Sequence, residues 1–194
     1  MIKSYAPAGI RSDFAKYLRW LIKGGSRVLI GRTSDGNRLY IFSGYIALCV
    51  PESAYFHIVS GIDKVFSQQL DHGMGYEIVK KKVHPIRTVE IVSRFENAWN
   101  IDGCLPTHYT PYVKLGDRIL ALEGDPCKPI FVPESRHACF EKEKWIWVTS
   151  GERKPLMGMG VDNDARAIIC PALGHIQPTP ADLAIVNEHI EDCL

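Results

Sequence analysis

A helix followed by three short strands, all within residues 12–51, is the feature that most restricts what this chain can become, because the same order of parts returns near residue 144. In Ser12–Lys23 the apolar residues Phe14, Tyr17, Leu18, Leu21 and Ile22 recur at helical spacing and form one stripe of a 3.6-period helix. The opposite face carries Lys16, Arg19 and Lys23, with Trp20 beside them. Ser12 is expected to cap this helix, Asp13 and Lys23 to suit the two ends of its dipole, and Gly24-Gly25 to stop it. Runs at Arg27–Arg32, Arg38–Phe42 and Tyr45–Val50 are separated by Thr33-Ser34-Asp35-Gly36-Asn37 and by Ser43-Gly44. They predict two successive hairpins ended by Pro51.

The return occupies Lys144–Pro171. Lys144–Val148, Pro155–Val161 and Ala165–Cys170 read as strands, with turns at Thr149–Arg153 and Asp162-Asn163-Asp164 and a stop at Pro171. Thr33-Ser34 is echoed by Thr149-Ser150, and Ile46–Pro51 by Ala167–Pro171. Pro133–Phe140 supplies a short helix in front of the second set. The plainer alternative is that any two β-meanders look alike. The expected class is α+β, with two helix-plus-three-strand units sharing antiparallel sheet.

Between the units the reading is looser. Gly61–Leu70 has a helical pattern, Tyr76–Val83 reads as one strand with Lys80-Lys81-Lys82 on a solvated edge in preference to a phosphate contact, and Thr88–Trp99 as a helix begun by Thr88 in preference to a strand through Val89, Ile91, Ser93 and Phe95. Asn100 to Pro111 reads as a long loop, Pro111–Leu122 as a strand or a hairpin about Gly116-Asp117, and Pro129–Val132 as a strand. Thr179–Asp182 opens a final amphipathic helix through Leu183, Val186, Ile190 and Leu194. The division expected is one domain over 1–176, with repeats at about 1–60 and 111–172, an insertion at 61–110 and a helical appendage at 177–194.

Charge selects no partner by itself, since 23 Lys and Arg against 22 Asp and Glu leave a formal charge of +1. The basic stretch Arg11–Lys23 and the acidic Glu188–Asp192 are nevertheless segregated. No apolar run approaches about 18 residues and no leader pattern opens the chain, so a cytoplasmic protein without a membrane span is expected. The six cysteines are scattered, two of them (Cys49 and Cys170) in apolar strand runs, and are expected to be reduced.

Catalytic motifs are sparse. There is no Gly-rich phosphate loop, no G-x-S-x-G and no H-E-x-x-H. Cys104, His108, Cys127, His137 and Cys139 are weak metal candidates, because their spacings lack the paired cysteines of zinc ribbons and knuckles. A thiol pair of His108 with Cys104 or Cys127 would need proximity that spacing does not supply. No cofactor is expected. Asp162 and Asp164 read as turn residues.

The helix-plus-three-strand units, with Thr33–Tyr40 similar to a D-G-x-R-L turn and Lys154-Pro155-Leu156 through Ala167–Pro171 similar to an S-P-L…V-M-P close, resemble the DNA sliding clamp family, as in the bacterial polymerase III beta subunit. The resemblance implies basic helices facing a duplex, sheets on the outside and no enzymatic activity. It places Lys16, Arg19, Trp20, Lys23 and Arg136 on the DNA side and makes double-stranded DNA or a replication protein the partner. The chain departs from the family in having length for one duplicated domain, where bacterial clamp chains have three and eukaryotic-type chains two. A single-domain form of phage or mobile-element type fits that length, and self-association would be needed to encircle DNA. Two other functions stay open: a structural or protein-binding scaffold of the same fold, and a small enzyme with a Cys/His site.

Overall fold

The computed structural model describes residues 7–59, 62, 71–114, 117–122, 125–151, 154–162 and 164–171. The N-terminal unit forms where the periodicity places it: helix α1 at Ser12–Lys23, then β1 (Val28–Arg32), β2 (Arg38–Ser43) and β3 (Ile46–Pro51). Ser12 lies inside α1, not at its cap; Arg11 holds that position, and no side chain caps the helix. Gly25 makes the stop, with φ at 81°, and the Ser26 amide donates to the Leu21 carbonyl at 2.9 Å. A short helix α2 (Tyr55–Val59) follows in a stretch whose sequence pattern is mixed.

Tyr76–Val83 is not one strand. It belongs to a hairpin of β4 (Met74–Val79) and β5 (Lys82–Arg87), turning at Lys80 and Lys81, both with positive φ. Helix α3 (Thr88–Ala98) follows, again with an arginine, Arg87, at the cap position. The expected long loop is shorter than its pattern, because β6 (Leu105–Lys114) begins within it despite Pro106 and Pro111. β7 (Asp117–Leu122), β8 (Asp125–Pro133), α4 (Glu134–His137), β9 (Trp145–Thr149), β10 (Leu156–Gly160) and β11 (Arg166–Ile169) complete the described chain. The helix expected at Gly61–Leu70 and the C-terminal appendage lie outside the described residues.

The architecture is α+β, a large antiparallel sheet with few helices. Nine strands run in the order β5-β4-β1-β2-β3-β11-β10-β9-β6, and β6 continues into a second ladder with β7 and β8. The region between the units is therefore part of the sheet, since β4 pairs with β1. At the centre β3 meets β11 with Ile46 opposite Ile169 and Cys49 opposite Arg166.

Helices cover both faces. On one, α1 buries Phe14, Leu18, Leu21 and Ile22 against Val28, Ile30, Leu39, Ile41, Leu48 and Ile169, with α2 and the α4 segment joining the same core. Residues alternate along the strands, so Leu29, Tyr40, Ala47, Cys49 and Ile168 point the other way and meet Ile91 and Phe95 of α3. The end strands are poor templates for further pairing. β5 carries Pro85 with Lys82 and Arg87, and β8 contains prolines at 126, 129 and 133.

Candidate nucleic-acid interface

The sheet holds α1 with its charged side to solvent. Arg19, Lys23 and Trp20 are exposed, Trp20 to 68%. Lys16 is exposed too, but its ammonium donates to Asp13 at 2.9 Å, and that bond holds the Asp13 carboxyl below its usual range. Arg11 flanks the other Asp13 oxygen at 3.7 Å, so one carboxylate offsets part of the basic charge at the start of this face.

Its far end gains charge from a region the sequence does not connect with it. Val28 pairs with Ile78, which brings the β4–β5 turn level with the loop that ends α1. Lys80 and Lys81 form that turn with φ of 49° and 65°, and the Lys80 stem passes 3.7 Å from where a Cβ would stand on Gly25. Lys82 follows, and all three are exposed. Lys80 and Lys81 thus extend the surface of Arg19 and Lys23, whereas Lys82, alternating with Val83 of the α1 core, lies on the α3 side of the strand; among the described residues none of the five meets a carboxylate. Arg27 nearby is paired with Glu77 and adds no free charge. The negative end of the α1 dipole favours cations there by some tenths of a kcal/mol, roughly 0.3–1 in exposed settings. It does not account for Arg19, farther back on the outer face.

Trp20 stacks on Tyr17, rings 6.2 Å apart and inclined by 27°, beside a groove of about 390 Å³ between α1 and the α4 segment. Asp13, Lys16, Ser135 and Ala138 form the rest of its lining.

Arg136 does not join this surface. Its guanidinium donates to the carbonyls of Cys170 at 2.6 Å and Pro171 at 3.2 Å and lies 4.0 Å from the centre of the Tyr45 ring. It ties α4 to the end of β11 and to the β2–β3 turn. A lone arginine in a short helix gives no sequence signal of that inward role.

The cysteine and histidine candidates are not gathered. His137 and Cys139 are buried, the latter donating its thiol hydrogen to the Ser135 carbonyl at 3.4 Å, while His108 is exposed on β6. Cys104 is half-buried, and the Cys127 side chain lies outside the described residues. Among the described residues no three His, Cys, Asp or Glu side chains converge on a metal position. Burial pushes the Cys139 thiol up to about 12 and raises Cys104 and Cys170 as well, so these three hold little thiolate at neutral pH. Asp162 and Asp164 serve ion pairs to Lys144 and Arg38. No helix among the described residues is long and apolar enough to cross a membrane.

The chain matches no protein-family model, no curated protein and no solved structure.

Proposed function

We propose that the protein is a non-enzymatic, clamp-like module that contacts the phosphate backbone of double-stranded DNA, without reading sequence, through the outer face of α1 and the lysine turn. The observation that carries this reading is the approach of the exposed Lys80–Lys81 turn to the loop that ends α1, whose outer face exposes Arg19 and Lys23. Long basic side chains on a helix face and a turn suit evenly spaced phosphates, contacts that position a protein on a duplex without reading its sequence. The clamp-like part of the reading draws support from α1 and α4 on one side of a sheet in which the two three-strand sets meet antiparallel at β3 and β11. Prolines on both end strands disfavour a ring closed by sheet extension, so the contact proposed is one-sided. The test is fluorescence anisotropy on unrelated duplexes of equal length. The reading expects equal affinities within about twofold and loss of binding as salt rises. A preferred sequence, or no binding at low salt, contradicts it.

A protein-binding scaffold is the second reading, and Trp20 favours it, because an aromatic ring this exposed beside a groove is a common anchor for a partner. Trp20→Ala separates the two. A DNA module keeps most of its duplex affinity, whereas a scaffold loses its protein partner.

A further inference from the structure

The Trp20 ring, exposed and stacked on Tyr17, leaves apolar surface in water on the rim of the groove between α1 and the α4 segment. The groove follows α1 from Asp13 to Trp20, about 10 Å of helix. Ser135 and Ala138 form its other wall. Exposed cations stand along its outer side at Lys16, Arg19 and Lys23, offset in part by the carboxylate of Asp13.

The last described strand ends beside this groove. Arg136, next to Ser135, donates to the carbonyls of Cys170 and Pro171, and the Cys170 amide donates to the Tyr45 carbonyl at 2.9 Å. The chain beyond Pro171 therefore starts at the α4 wall. Residues 172–178, at most about 25 Å when extended, lead to the amphipathic pattern that begins at Thr179. There Leu183, Val186 and Ile190 share one helical stripe, and Leu183 to Ile190 again measures about 10 Å of helix. Glu188 and Glu191 flank the stripe on one side. Residues 179–194 carry Asp182, Glu188, Glu191 and Asp192 but no lysine or arginine. Apolar length and charge both complement the α1 side of the groove. A tether this short also holds its segment at a local concentration on the order of millimolar.

We propose that residues 179–194 dock as a helix in the groove between α1 and α4, with Leu183, Val186 and Ile190 on Trp20 and Tyr17 and with Glu188 and Glu191 toward Lys16 and Lys23. Docking requires no duplex and is read without one. Where duplex binding also holds, the two compete for Lys23, and releasing the segment tightens duplex binding.

The experiment is fluorine NMR of the full chain with fluorotryptophan at its tryptophans, the Trp20 line being assigned by Trp20→Phe. In wild type that line should move little between H2O and D2O, because the segment covers the ring. Val186→Asp/Ile190→Asp should give it a solvent shift approaching that of free fluorotryptophan. The lines of the buried Trp145 and Trp147 should stay in place and report an intact sheet. Glu188→Gln/Glu191→Gln should expose the Trp20 line in part, and added salt should do the same to wild type by screening. Equal solvent shifts of the Trp20 line in wild type and Val186→Asp/Ile190→Asp overturn the proposal. Exposure on dilution overturns it too, because the cover then comes from a second copy. No effect of the glutamate substitutions or of salt overturns its charged half.

Discussion

The two faces of the sheet are built from alternate residues of the same strands, yet they hold their helices by different physics. Against the first face α1 presents an apolar stripe, and Phe14 and Leu18 have no exposed surface at all. Position there is set by the amount of apolar area removed from water. On the second face α3 buries only Thr88, Ile91 and Phe95, and oriented contacts supplement that smaller apolar area. Arg166 donates both terminal nitrogens to Glu96 at 2.8 and 2.6 Å, and the Tyr40 hydroxyl donates to the same carboxylate at 3.1 Å. The Arg166 guanidinium also lies 5.2 Å from the Phe95 ring centre and 5.5 Å from that of Trp99. A face held by area alone tolerates changes of pH, whereas the part of the α3 seat that a charged clamp supplies does not.

Substitutions of decreasing severity sharpen that contrast. Leu18→Asp puts an unpaired carboxylate in the first core and is expected to leave no folded, soluble protein, as read from expression and circular dichroism. Phe95→Ala empties the largest apolar volume under α3 and is expected to cost about 3–5 kcal/mol in urea unfolding. Glu96→Gln keeps the shape of the clamp and removes its charge. With Glu96 still 41% exposed, the expected loss is about 1 kcal/mol.

The pH dependence of that last effect has a definite sign. The hydrogen bonds from Arg166 hold the Glu96 carboxyl below its usual range, outweighing the opposing effect of burial. A carboxyl depressed in the folded state adds stability above its unfolded value of about 4.3, and that stability fades as the pH falls through the folded value. Wild type and Glu96→Gln should therefore differ at pH 7 and converge in acid. A difference that persists unchanged at pH 2 would mean that packing, not charge, seats α3.

The same contrast explains what was legible in the sequence. α1 and the two three-strand runs could be read because amphipathic period and Gly/Asp/Asn turns are local signals. The clamp on α3 could not, since Glu96 and Arg166 are brought together only by the sheet. A clue to the second core was present nonetheless. Val28-Leu29-Ile30 and Ile46–Val50 are apolar on both faces, a pattern of strands covered on two sides. The β4–β5 hairpin was missed because Lys80-Lys81 carries none of the usual Gly or Asn for a turn with two positive φ values. β6 was obscured by its prolines. In the candidate interface, Arg19, Trp20 and Lys23 were legible from helical phase, whereas the lysine turn joins them only through the β1–β4 pairing.

The central claim is that this joined basic surface, and not basic charge elsewhere, meets the phosphates. It is tested most directly by the salt dependence of duplex binding in Arg19→Ala/Lys23→Ala/Lys80→Asn/Lys81→Gly, set beside Arg94→Ala on the exposed side of α3. Asn-Gly suits the positive φ of the turn, so the first variant removes four charges without opposing the hairpin. With a slope near −0.9 per phosphate neutralised, it should flatten the log–log plot by up to about 3.6, while Arg94→Ala follows wild type. Slopes equal to wild type in both variants, or an equal loss in both, would contradict the account.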